Sequence, residues 1–308
     1  MIQTIRNAWS VPELRKKILF TIFALLIFRL GSAIPVPYIN SEQLGFYLEA
    51  QSGTILGLMN AMSGSAFSMA TIFALSIQPY INSSIIIQLL TVAIPALERL
   101  AKEGGEEGRK KIASITRYAT VAIALLQGFG YYSLIKSYGL IESSSLNGVW
   151  VALVIVLSFT AGSAFLMWLG EQVTEFGVGN GISIILFAGI LSRIPNMVSG
   201  MVDGVQKWSA IKAGTMTLES LTSAGYTETQ AQAYLNGALA PWAIVLLVVG
   251  ILALIAFIVF INDAERRIPV QYAKRQVGRK MYGGQSSTLP MKVNMSGVLP
   301  IIFAQSIA

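Results

Sequence analysis

Six stretches of about 20 apolar residues recur along this chain, near residues 18–38, 71–93, 113–135, 148–170, 181–199 and 242–262. A run of that length crosses a hydrocarbon layer of about 30 Å as a helix, because lipid offers the backbone no other hydrogen-bond partner. The 308 residues therefore predict one bundle of membrane spans, not the two water-soluble domains that length alone would allow. Composition agrees: 54% of the residues are hydrophobic and 12% charged, against about 25% charged in an ordinary soluble protein. A seventh apolar run begins near Val293 and stops at Ala308, too short to cross, so the chain is expected to be the front part of a longer one.

The few charges are unevenly placed. Lys and Arg number four before the first span (Arg6, Arg15, Lys16, Lys17), none over 31–70, and five over 94–113 (Arg99, Lys102, Arg109, Lys110, Lys111). They number one over 136–147, none over 171–180, three over 193–241, and seven over 263–292. Alternate loops are basic, which predicts a cytoplasmic N-terminus and cytoplasmic loops after the second, fourth and sixth spans. Cations ahead of an apolar core, with Gly31-Ser32-Ala33 behind it, also mimic a secretory signal peptide. Arg29, followed by Ile34-Pro35-Val36-Pro37, favours a retained helix with a snorkelling arginine.

Ionisable residues inside spans are the usual mark of an ion or proton pathway. Arg29, Arg117, Glu171 and Glu175 all fall near predicted span ends, so no midplane relay can be assembled. With no cysteine and no histidine, thiol nucleophiles, thiolate metal sites and imidazole chemistry are excluded, and no cofactor is expected. The run from Gly104 to Lys110 lacks Walker spacing, and Gly177-Val178-Gly179-Asn180-Gly181 reads as a tight turn into the fifth helix. These exclusions leave a non-enzymatic reading ahead of a secondary transporter or a membrane-embedded enzyme.

Two features need a reason. The uncharged stretch Ile55 to Ala70 is too short to span and is interrupted by Ser63-Gly64-Ser65, so it either re-enters the bundle or lies at the interface. The second and seventh apolar runs each carry a proline, Pro79 and Pro300. In an inverted repeat of five spans plus five these segments correspond, and matched interrupted helices point to a midplane site. Ile77 and Ile81, and likewise Ile182 and Leu186, are spaced to share a helix face, a pattern that packing or lipid contact also produces. The loop at 263–292 carries more cations than orientation needs, interleaved with Tyr272, Tyr282 and Gln285, a composition that could bind a polyanion.

The stretches Phe28 to Ser32 with Ile34 to Pro37, IFALSIQPYINSSIIIQLLT (72–91), EGGEEGRKKIASITRY (103–118), MWLGEQVTEFGVGNGISIILFAGI (167–190) and QYAKRQVGRKMYGGQSSTLPMKVNMSGVLPIIF (271–303) carry a resemblance. From Arg15 to Ala308 the chain resembles the SecY family, pore-forming subunits of the bacterial protein translocation channel. The resemblance implies an all-α polytopic membrane protein, the N-terminal part of a ten-helix inverted-repeat channel. Residues 1–200 would be the first five-helix half; residues 201–308 would be an external loop, the sixth helix, the cytoplasmic loop 263–292 and an incomplete seventh helix.

Further expectations come with it. The function implied is a conduit that passes unfolded secretory polypeptides across the bacterial cytoplasmic membrane and releases apolar segments sideways into it. A plug would occupy 55–70, with Leu58, Met59, Met62, Ser63, Gly64 and Phe67. A pore ring maps onto Ile77, Ile81, Ile182, Leu186 and Ile302, where Leu186 stands in a position often occupied by isoleucine. Ser84 and Gln127 would face the lateral gate, and Arg266, Arg267, Lys274, Arg275, Arg279 and Lys280 would dock the ribosome, at its tunnel-exit RNA and proteins, or the SecA motor. The partners implied are SecE and SecG, SecA, the ribosome, signal sequences, nascent chains and membrane lipids. An uncharged aliphatic collar suits such a pore, since fixed charges or hydrogen-bond partners would trap some side chains and repel others.

Overall fold

A computed structural model describes residues 9–49, 54–142, 148–223, 232, 235–271, 275–277, 280–282 and 286–292. The chain divides into two compact units, Met1–Asn196 and Met197–Ala308. Among the described residues, four helical stretches are long and apolar enough to cross a membrane, or five when one bent pair counts as a single span. The seventh apolar run, with Pro300 and Ile302, lies outside the described residues.

The first unit begins with α1 (Pro12–Gly31). Pro12 occupies the first turn, where its missing N–H costs nothing; Glu13 and Arg29 sit at the helix ends their charges favour. The helix ends at Gly31 instead of running to residue 38, ahead of Pro35 and Pro37, which cannot sit in a helix interior; the Phe73 ring packs where a Cβ on Gly31 would stand. Helix α2 (Ser41–Glu49) and the short α3 (Ile55–Met62) follow. The second span differs most from its expected bounds. Residues 63–77 are turns, and α4 starts only at Gln78 and ends at Ala93. Pro79 explains the start: it fits a helix's first turn and would break an interior one. Pro95 explains the end, since it forces Ile94 into an extended conformation (φ −108°, ψ 114°). Helix α5 (Pro95–Lys102) then leaves at 101° to α4.

The long helices α6 (Gly105–Ser137) and α7 (Gly148–Phe176) pack along each other. At 1.5 Å per residue their 33 and 29 residues reach about 50 and 44 Å, more than a bilayer core requires. Bends at 177–179 lead into α8 (Gly181–Leu191), as the glycine spacing predicts. Asn180 caps α8, its side-chain oxygen accepting from the Ile182 and Ser183 N–H groups at 3.0 and 3.2 Å. Helix α9 (Ile194–Lys212) follows after a turn at Ser192-Arg193, so the expected fifth span is two helices.

Two buried clusters fill this unit. One gathers Phe67, Leu75, Tyr131, Ile135, Ile155 and Phe159; the other gathers Phe28, Phe73, Ile77, Leu166, Val173 and Ile185. In the second, Phe28, Phe73 and Phe165 stack in near-parallel planes at centroid spacings of 6.1 and 6.0 Å. Because 63–77 has no helical ladder, its backbone groups pair in local turns and with a crossing segment: the Val36 N–H donates to the Ala70 carbonyl and the Ile72 N–H to that of Ile34, each at 3.0 Å. This is how irregular backbone survives inside a membrane protein.

The second unit contains α9 from Met197 onward, α10 (Leu218–Ser223), α11 (Pro241–Asp263) and a β-region. Helix α11 is apolar all round with none of its residues buried, a surface suited to lipid. The basic loop holds strands that its glycines alone did not suggest. β1 (Glu265–Gln271) pairs antiparallel with β4 (Ser286–Lys292), and β2 (Arg275–Val277) with β3 (Lys280–Tyr282). Both pairs keep one common register, as the outer and inner parts of a single hairpin do.

Candidate functional site

Residues 55–70 fold against the interior of the first unit. Asn60, Ser63, Ala66, Phe67, Ser68 and Ala70 are all buried, whereas Leu58 is 48% exposed at one end. The segment folds on itself. The Asn60 side-chain oxygen accepts from the Ser68 N–H at 3.1 Å, and the Ser63 hydroxyl donates to the Asn60 carbonyl while accepting from the Phe67 N–H. Gly64 has φ +67°, and Ser65, Ala70 and Ser76 adopt φ of 73°, 45° and 51°, a region that costs a side-chain-bearing residue about 1–3 kcal/mol unless its surroundings enforce it.

Two walls hold the segment. On α8, a Cβ at Gly189 would stand 2.6 Å from the Met62 carbonyl oxygen, and one at Gly64 would stand 2.6 Å from that of Gly189. The backbones can touch only because both positions are glycine. The Ser192 hydroxyl donates to Gly189 O at 2.7 Å and reaches Gly64 O at 3.4 Å. On α6, the buried Tyr131 phenol donates to the Phe67 carbonyl, and the two rings stack at 4.3 Å. Tyr131 in turn meets Phe159 of α7 at 5.0 Å. Of the expected plug residues, Ser63, Gly64 and Phe67 make these seating contacts, while Met59 and Met62 are half-buried.

The chain then passes the expected ring. Ile77 caps the N-terminus of α4 and is fully buried, while Ile81 one turn on is half-buried. Ile182 and Leu186 on α8 join the same apolar cluster, which thus brings together the four ring candidates that are described. Sequence reasoning missed two participants, Ile185 and Gly170. A Cβ at Gly170 would lie 3.2 to 3.5 Å from Ile77, Ile182 and Ile185, so this mid-helix glycine leaves room where the three isoleucines converge. A glycine inside an otherwise apolar helix was the available signal.

Beside the ring, Tyr80, Arg117, Glu171, Thr174, Glu175, Asn180 and Ile182 line a cavity of about 360 Å³. Arg117 Nε donates to Glu171 Oε1 at 2.9 Å, so two charges read separately as span-end residues form a pair between α6 and α7. Gln127 lines a different cavity, of about 290 Å³, with Leu56, Met59, Phe67 and Tyr131. Ser84 is half-buried on α4. Among the described residues no group of His, Cys, Asp or Glu could hold a metal. In the second unit Arg266 and Arg267 are exposed on β1, opposite Met291 and Pro290, and Arg275 and Lys280 fall in β2 and β3. Lys274 and Arg279 lie outside the described residues.

The SecY family model matches residues 71–308. The chain belongs to the SecY family. It is 44% identical over 298 residues to the protein translocase subunit SecY of Pseudomonas aeruginosa, with 97% of this chain and 60% of that one covered. Against the SecY subunit of Escherichia coli K12 it is 43% identical over 299 residues, covering 97% and 61%. The chain thus spans about three fifths of the length of these curated relatives. Its fold is that of a solved structure described as a protein conducting channel (TM-score 0.56, 17% identity, 98% of this chain and 60% of that one). A second structure, described by the statement that the SecY plug domain stabilises the closed state and maintains a membrane seal, gives a TM-score of 0.55 at 17% identity, over 98% and 60%. The SecY assignment makes the chain a multi-pass membrane protein with the helical architecture expected.

Proposed function

We propose that this chain is the N-terminal part of a protein-conducting channel in the bacterial cytoplasmic membrane, with its N-terminus in the cytoplasm. It passes unfolded secretory polypeptides across the membrane and releases apolar segments sideways, past Ser84 and Gln127. The reading rests on one juxtaposition: a buried, irregular segment seated by a few polar and glycine contacts, next to a charge-free cluster of Ile77, Ile81, Ile182 and Leu186. An aliphatic constriction dewets when empty and deforms around a moving chain, while a small seated plug blocks it further. Ile302 would complete the ring. No residue set supports bond chemistry, so the chain acts as a conduit driven from outside by the ribosome or the SecA motor, with SecE and SecG as companion subunits.

Replacing Ile81 by Asn in the full-length channel places an amide at the constriction and favours its hydration. Reconstituted in lipid bilayers, the variant is expected to leak ions or to relax its demand for a functional signal sequence. Unchanged conductance together with unchanged selectivity refutes the ring.

A further inference from the structure

We infer that Tyr131 is the catch that sets how readily the 55–70 segment leaves its seat, with Ser192 as a second catch on the opposite wall. This inference rests on the channel reading above and deepens it. The Tyr131 side chain is 5% exposed, and its phenol donates to the backbone carbonyl of Phe67 while its ring stacks on the Phe67 ring. The Phe67 carbonyl also accepts from the Ala70 N–H at 3.1 Å, and the Phe67 N–H is held by the Ser63 hydroxyl, so the phenol adds a tie from α6 to a peptide unit the segment already holds within itself. Breaking that tie leaves the buried phenol without its partner, and this is where the cost falls.

The position of the catch gives it a function beyond packing. Tyr131 belongs to α6, a long helix packed on both α4 and α7, and its ring also touches Phe159 of α7. A shift or rotation of α6 along α7 therefore acts on the Phe67 carbonyl directly, whereas α8 grips the segment separately through Gly189 and Ser192. The segment carries its own opposing load, because Ser65 and Ala70 are held at positive φ. Loosening either wall releases that strain. Tyr131 is thus a positioning residue: it touches no passenger chain and acts by coupling α6 to the segment.

The 308 residues contain no cysteine, so in a full-length channel cleared of any other cysteines an introduced thiol is the single reporter. Ser68, 8% exposed in the seated segment, is converted to Cys in the full-length channel, and its labelling by a membrane-impermeant maleimide is timed in membrane vesicles. Tyr131→Phe keeps the ring and removes only the hydroxyl; it is expected to speed labelling roughly two- to tenfold, with Ser192→Ala giving a smaller gain and the double variant the product of the two. A single thiol at Ser163, 2% exposed and hydrogen-bonded to the Ser76 carbonyl, reports general unfolding and is expected to stay protected throughout. Protection at Ser68→Cys that Tyr131→Phe leaves unchanged overturns the catch, as does equal deprotection of the Ser163 thiol. Rapid labelling of Ser68→Cys with Tyr131 intact instead refutes the seated plug itself. Should Tyr131→Phe assemble poorly, Phe67→Leu, which removes the stacked ring from the other partner, is expected to speed labelling too, and no acceleration there overturns the catch equally.

Discussion

Gly189→Ala adds one methyl group to α8 and is expected to unseat the plug without weakening the bundle. The new Cβ would stand 2.6 Å from the Met62 carbonyl oxygen, 3.6 Å from its carbon and 3.8 Å from the Gly64 nitrogen. An ordinary carbon–oxygen contact is longer by more than half an ångström, and the clashing atom is backbone, so the 55–70 segment or α8 must move. Overpacking of this kind costs about 1–3 kcal/mol. Alanine also raises helix propensity by about 1 kcal/mol over glycine, but α8 is helical whether the plug is seated or not, so that gain cancels in the seating equilibrium. The clash remains, and at 1.4 kcal/mol per tenfold it shifts the equilibrium about 5- to 150-fold toward release. Single-channel conductance in planar bilayers and labelling of Ser68→Cys should both rise, while the thermal unfolding midpoint stays level or increases slightly. A variant whose labelling and conductance match the parent channel would refute the reasoning, since the space at Gly189 would then not matter to seating.

Two further outcomes follow from charge. Reversing Arg266 and Arg267 to Glu on the exposed β1 strand should weaken ribosome or motor binding in a sedimentation assay and flatten its dependence on salt, because fewer counterions are released on binding. The Arg117–Glu171 pair, whose side chains are 52% and 25% exposed, contributes less than about 1 kcal/mol; Arg117→Gln should therefore leave the unfolding midpoint nearly unchanged, and a large drop would mean that the pair carries more than a solvated contact.

Hydropathy made the spans legible because the bilayer imposes one solution on an apolar run, and helices α6, α7 and α11 contain the predicted segments. It failed over 71–77, where Thr71 to Ile77 is as apolar as a helix but its backbone turns back on itself. Hydropathy cannot register that difference. Pro79 and Pro95 could have placed the start and end of α4, had their positional rules been weighed against the apolar run. The seat was less legible still. Gly64 and Gly189 are 125 positions apart, and Tyr131 lies 64 positions from Phe67, so neither contact leaves a local pattern. The strand pairs between 265 and 292 were hidden for a different reason: glycines and cations dominated the reading, and Pro269 between Ile268 and Val270 interrupts the polar–apolar alternation that marks a strand.

On the channel reading proposed above, the seating contacts explain how a plug is stable and still movable. Leaving the seat returns Phe67 to a more polar setting, a loss of about 1.5–3 kcal/mol for a fully buried side chain, and breaks hydrogen bonds that net about 1 kcal/mol each. Relief of positive φ at Ser65 and Ala70 works the other way, at about 1–3 kcal/mol for each residue that relaxes. The two sets are of similar size, so the balance between seated and released states is a few kcal/mol. A ligand that moves such an equilibrium from 1:99 to 99:1 must prefer the released state by about 5.5 kcal/mol. Burial of a few apolar side chains of an entering segment is enough to supply that preference. Hydrogen bonds to backbone carbonyls, a stacked ring and two touching glycines keep the closed state within reach of a signal sequence, which is the physical reason for a seat made of Tyr131, Ser192, Gly64 and Gly189.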